Sequence, residues 1–142
     1  MKYMFKFDAI LSLLLVASAI PATAQNQRML TLKTSFAFSV ETHELPAGDY
    51  RIRLQDGWLQ IQGADGKAAA FVLTFPSSAQ GSEKPARAVF HRYGSRYFLS
   101  EVWLTASDRG RQTLEPRAEK NARKQELAKT VVLPLTTQTE GR

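Results

Sequence analysis

The chain has 142 residues, a formal charge of +6 and no cysteine. That length suits one domain with a modest core. Without thiols, cysteine-bound zinc, thiol catalysis and disulfide stapling are excluded, so stability rests on packing even in an oxidising compartment.

Lys2 and Lys6 precede an apolar run over 9–20, which ends in Pro21-Ala22-Thr23-Ala24. A basic start, a short apolar centre and a small-x-small site predict a secretory signal peptide over 1–24, cleaved before Gln25. The apolar run is well short of the ~20 residues that a spanning helix needs. No cysteine follows it, which excludes a lipoprotein anchor. The protein is therefore expected to be exported, periplasmic or extracellular, with no transmembrane span after cleavage. Loss of Lys2, Lys6 and Asp8 lowers the charge from +6 to +5.

From Leu30 to Val40 apolar residues hold the even positions except Thr34, which predicts one long strand bent near Thr34-Ser35. Leu45-Pro46-Ala47-Gly48-Asp49 reads as a turn, with Pro46 presetting φ. Residues 50–54 alternate again, and Asp56-Gly57 predicts a two-residue hairpin turn. That turn sets Leu54 opposite Leu59 and Ile52 opposite Ile61 on the core face. The next turn, Ala64-Asp65-Gly66, is read as a three-residue loop with Ile61 opposite Ala69 and Leu59 opposite Phe71. This register sends Phe71, Leu73 and Phe75 into the core. Pro76 to Pro85 is a polar, proline-bounded loop.

Residues 86–104 are rich in aromatic and β-branched groups on either side of Gly94-Ser95, which predicts a hairpin with a type II′ turn. Unbroken pairing sets Phe90 opposite Leu99, Ala88 opposite Glu101 and Ala86 opposite Trp103 on the core face. His91 opposite Phe98, Val89 opposite Ser100, and Arg87 opposite Val102 share the other. The second face mixes rings with cations and is the candidate binding surface: Arg87, His91, Tyr93, Arg96 and Phe98. As a plain amphipathic strand pair, its arginines would lie over rings.

Beyond Thr105 the composition changes. Ser107 to Gly110 reads as a turn, and Pro116 opens a helix through Lys129, with Glu115 and Glu119 at the positive end of its dipole. Glu119 and Arg123 suit an i,i+4 pair. The apolar face is thin (Leu114, Ala118, Ala122, Leu127, Ala128), so the helix is expected to lie on the surface or project. Basic residues outnumber acidic ones over 109–129. Arg117, Lys120, Arg123 and Lys124 extend the candidate surface toward an anionic partner: lipid phosphate, acidic polysaccharide or an acidic protein. Val131 to Leu135 adds an edge strand, docks elsewhere or binds a partner, and Thr136 to Arg142 is expected to be disordered.

Reaction chemistry is poorly represented. His43 lies beside Glu41 and Glu44 in an expected loop, but a metal site needs three or four converging ligands. No serine has the strand–turn–helix setting of a nucleophile. Glu101 and His91 fall on opposite faces in the predicted register. No cofactor, metal or catalytic residue is expected. Nucleic acid is not an expected partner for an exported chain.

The segments FAFSV, LPAGDYRI and VFHRYGSRYFLSEVW, followed by the charged stretch, resemble a group of small exported bacterial proteins. Those proteins share an LPAG-Y-I turn and strand and an FHRYG-YFL-W hairpin. The matching residues are Leu45 to Gly48, Tyr50, Ile52, Phe90 to Gly94, Tyr97 to Leu99 and Trp103, within 36–128. The resemblance implies an exported β-domain and transfers no catalytic residue.

The expected fold is mainly β: a small antiparallel barrel or sandwich of about six strands with a C-terminal basic helix. Its parts are the signal peptide, a β-domain over 25–106, a turn and basic helix over 107–130, and a tail over 131–142. The expected function is an exported envelope binding or structural module. The alternatives are a carrier of a small apolar ligand, lined by Phe36, Phe38, Phe71 and Trp103, and a hydrolase with an unfamiliar site.

Overall fold

Alternating side chains build most of the computed structural model, which describes residues 29–137 apart from 56, 79–83 and 105–108. The predicted signal peptide and residues 138–142 lie outside the described residues. The strands are β1 Met29–Thr34, β2 Phe38–Val40, β3 His43–Leu45, β4 Gly48–Gln55, β5 Trp58–Gly63 and β6 Ala69–Ser78. They continue with β7 Arg87–Tyr93, β8 Arg96–Trp103, β9 Arg109–Thr113, β10 Lys129–Pro134 and β11 Thr136–Thr137, and helix α1 spans Arg117–Gln125.

The fold is mainly β, but the sheet is not closed into a barrel. The main path runs β10-β7-β8-β9-β6-β5-β4-β1-β11, with β2 on β8 and β3 on β2. Its end members β10 and β11 are one chain segment interrupted at Leu135. That segment pairs with β7 on one side and β1 on the other. The sheet therefore curls until its two ends are one residue apart.

The described residues hold eleven strands where six are predicted. The first predicted strand breaks at 35–37 into β1 and β2, and β3 pairs back on β2 through a turn in which Glu41 adopts φ 50°. His43 is thus in a strand rather than a loop. Pro76 to Ser78 extend β6, which shortens the predicted loop, and residues 79–83 of it lie outside the described residues. Arg109 and Gly110 belong to β9 instead of a turn, while 107 and 108 are not described. The β-structure therefore continues past 106 to Thr137. Of the three fates given to Val131 to Leu135, the edge strand is realised, and Thr136 and Thr137 pair with β1 instead of being disordered.

Two hairpins form as their turns dictate. Gly57 takes φ 87°, and Leu54 pairs with Leu59 and Ile52 with Ile61. Gly94 takes φ 60°, and Tyr93 pairs with Arg96, His91 with Phe98 and Phe90 with Leu99. The second ladder then departs from the unbroken register, because Val89 pairs with Glu101 and Ala88 with Val102. Ser100 is the extra residue of a β-bulge, which turns the rest of β8 over. Val102 is thereby buried in the core, and Glu101 and Trp103 move to the outer face.

The β5–β6 register also differs from the predicted one. Ile61 pairs with Ala70 and Leu59 with Val72, across a turn closed by Gly63 N–H on the Ala68 carbonyl (2.7 Å). Phe71, Leu73 and Phe75 consequently point outward. Rings from elsewhere already occupy the interior. Phe38 meets Tyr50 and Phe90 edge-on at 5.3 Å, and Phe36 stacks on Tyr97 at 3.7 Å. Small Ala70 and Val72 fit beside Leu59 and Ile61, where phenyl groups would overpack.

Trp103 lies flat over Gly110, its ladder partner, where a Cβ would sit 2.6 Å from the ring. Gly110→Ala is therefore expected to lower stability by about 1–3 kcal/mol, read by thermal unfolding with near-ultraviolet circular dichroism following Trp103. An unchanged melting curve would mean that the indole shifts freely.

Candidate functional site

Helix α1 packs on the outer face of β7 and β8. Its buried residues are Glu119 and Ala122. Ala122 clusters with Tyr93 and Phe98, two rings meeting edge-on at 5.8 Å. The Glu119 carboxylate takes the hydroxyl of Tyr93 at 3.2 Å and lies 2.7 Å from Nδ1 of His91 on the same oxygen. Only 4% of that glutamate side chain is exposed, against 36% of the His91 ring. A buried carboxylate is tolerable only when so paired. An ionised Glu119 selects the His91 tautomer with its proton on Nδ1.

Arg123 therefore does not pair with Glu119 as the i,i+4 spacing predicts. It reaches Glu115 at 3.3 Å, because Glu119 is turned into the sheet. Pro116 occupies the N-cap position instead of the predicted first helical one, and the helix ends at Gln125 rather than Lys129, which begins β10. Of the predicted apolar helix face, only Ala122 is buried, and Leu127 is 94% exposed.

The space left beside this contact is a cleft of about 250 Å³, with Ser100, Gln112, Thr113, Glu115 and Arg123 around His91, Tyr93 and Glu119. The Thr113 hydroxyl is committed to backbone, donating to the carbonyls of Leu99 (2.7 Å) and Ser100 (3.2 Å). Burial pushes the Tyr93 phenol above its ordinary value, and the negative charge and hydrogen bond of Glu119 add to the rise. Glu115 adds further, and Arg123 opposes.

The predicted binding surface is divided by this helix. Tyr93 and Phe98 are buried beneath it, and His91 is half-buried, so these three do not form an open face. Arg96 lies over the Phe98 ring at 5.4 Å and Arg87 over Trp103 at 4.9 Å. Arg117, Lys120, Arg123 and Lys124 are exposed on α1. Because of the bulge, Glu101 and His91 share the outer face rather than opposing it. Each is engaged separately, Glu101 accepting the Trp103 indole N–H at 2.7 Å. Among the described residues, no group of three or more His, Asp or Glu is placed to hold a metal ion. No described helix is long and apolar enough to cross a membrane.

A second outer-face feature is an apolar stripe along β6. Phe71 (56% exposed), Leu73, Phe75 and the neighbouring Trp58 of β5 all face solvent. Trp58 and Phe71 stack at 4.8 Å with their planes 10° apart. Trp58 is opposite Leu73, and Phe71 is opposite Gln60, itself opposite Arg53. Sequence reasoning missed both the stripe and Glu119. The continuous run of large and small apolar groups over 68–73 fits either register, and Glu119 reads as an ordinary helix-dipole acid.

No protein-family model matches the chain, and no curated protein or solved structure matches it either.

The Tyr93 contact carries a pH dependence. Below the ordinary phenol value of about 10 the ring keeps its proton in both folded and unfolded chains. Between that value and the raised folded one, only the unfolded chain ionises, so stability falls as pH rises. Ultraviolet titration should show a phenol ionising above the ordinary range and absent from Tyr93→Phe. In Glu119→Gln it should move part of the way back, since burial remains. No movement would remove Glu119 from the contact.

Proposed function

We propose that the protein is an exported module of the cell envelope that binds a partner through the open part of its outer sheet face, with no catalysis of its own. The observation that carries this reading is the stripe of Trp58, Phe71, Leu73 and Phe75, four large apolar side chains in adjoining positions and each at least 40% exposed. Contiguous apolar surface of this kind marks interaction sites, whereas scattered single residues do not. Export rests on the order of basic, apolar and small residues over 1–24. An anionic partner is favoured by the charge of +5 that remains after loss of residues 1–24 and by the exposed Arg117, Lys120 and Lys124 of α1.

Two placements weigh against a carrier. Phe71 and Trp103 stand on the outer face, and Phe36 and Phe38 spend their ring surfaces on neighbouring aromatics. Against hydrolysis, the Glu119 carboxylate is used in seating the helix. The Thr113 hydroxyl is likewise turned to backbone carbonyls.

Withdrawing a phenyl group from water contributes about 1.5–3 kcal/mol. The double substitution Phe71→Ser with Phe75→Ser should therefore lower retention on isolated envelopes by at least about ten-fold, with the melting temperature held. Charge reversal at Arg117, Lys120 and Lys124 should weaken retention further while leaving the Arg123–Glu115 pair intact. Retention equal to wild type in all these variants would remove the proposal.

A further inference from the structure

We infer that the stripe docks on an anionic lipid surface, with Trp58, Phe71, Leu73 and Phe75 entering the headgroup boundary and Arg51 and Arg53 meeting its phosphates. This rests on the binding reading above and names its partner.

The argument starts from the ladder geometry. Side chains of one sheet face alternate along each strand and align across neighbouring strands. One such row on the outer face runs Arg53, Gln60, Phe71, and the next Gln55, Trp58, Leu73. A third begins with Phe75, opposite Gln112 of β9. Apolar groups thus hold one side of the patch and guanidinium groups the other, two strand spacings away, roughly 10 Å.

Arg51, Arg53, Gln60 and Gln62 line one shallow notch at the edge of the aromatic pair. All four are exposed. Guanidinium groups match phosphate oxygens in forked geometry, and carboxamides add further donors. No acidic side chain lines the notch.

An interface of lipid and water presents what this patch lacks: apolar depth beside phosphate. Tryptophan settles at headgroup level because its ring is apolar while its N–H keeps a polar contact. An acidic glycan suits the notch but leaves Leu73 and Phe75 against hydroxyls. A second copy packed stripe to stripe covers the apolar groups but brings no anionic group from the notch to the arginines, since no acidic side chain lines it. Charge complementarity therefore favours the anionic lipid surface.

Flotation of the processed chain, as recovered from the exporting cell, with vesicles of phosphatidylglycerol and phosphatidylcholine tests this directly, against phosphatidylcholine alone. Binding should be at least ten-fold stronger to the anionic vesicles and should weaken in high salt. A tryptophan blue shift should accompany it and disappear in Trp58→Phe. Each basic residue held near an anionic leaflet changes partitioning roughly five-fold, so Arg51→Gln with Arg53→Gln should cost about thirty-fold.

Equal binding to both vesicles, or loss of neither signal in the variants, overturns the inference. Retention on lipid-extracted envelopes without vesicle binding overturns the lipid partner and leaves the binding module standing, with a glycan or protein as its target. A concentration-dependent dimer abolished by Phe71→Ser assigns the stripe to a second copy and overturns the lipid partner. Failure to bind vesicles and envelopes alike removes both readings.

Discussion

The β7–β8 ladder changes register by one residue between Val89 and Phe90, and the arrangement of the outer face follows from that shift. With unbroken pairing, Glu101 would face the core opposite Ala88, and Val102 would face solvent. A carboxylate buried among aliphatic groups without a partner is strongly unfavourable. The bulge at Ser100 exchanges the two. Val102 fills the interior, and Glu101 reaches the indole N–H of Trp103, itself turned outward. The indole then needs room on β9, which a glycine at 110 supplies, and Arg87 covers it from β7. One extra residue in one strand thus sets the environment of several side chains on three strands.

The outer face is divided into a covered and an open half. Helix α1 covers the Gly94 end of the β7–β8 hairpin with little apolar surface, and its seat depends on the contact of Glu119 with His91 and Tyr93. Segments held by few buried apolar groups open at lower free energy than the core does. Among the described residues, nothing comparable covers the open half on β5 and β6. There a packed interior has forced large side chains outward, so the same filling of the core produces both the stability of the sheet and its exposed stripe.

Much of the local structure was legible in the residues. Asp56-Gly57 and Gly94-Ser95 place glycine where positive φ is needed, and a tight turn sets the register next to it without reference to the rest of the chain. Alternation over 30–40 marked Leu30, Leu32, Phe38 and Val40 as buried, whereas Phe36, also assigned to that face, is half-buried where the strand breaks. The bulge was not legible, since Ser100 is as ordinary in a strand as in a bulge. Strand β9, reading RGRQT, carries no apolar alternation, and its pairing with β6 and β8 is a matter of available sheet edges.

The sequence by itself determined short-range features: the turns at Gly57 and Gly94, the strand character of most of the chain and the absence of thiol chemistry. These depend on φ preferences and side-chain periodicity within a few residues. Only the tertiary structure decided the β5–β6 register, the burial of Glu119 and the joining of the sheet's two ends through Leu135. The physical reason is competition for one interior. Whether Phe71 or Val72 turns inward depends on the space that Phe38, Tyr50 and Phe90 have already taken. Those rings come from distant parts of the chain, so the choice exists only once they are packed together.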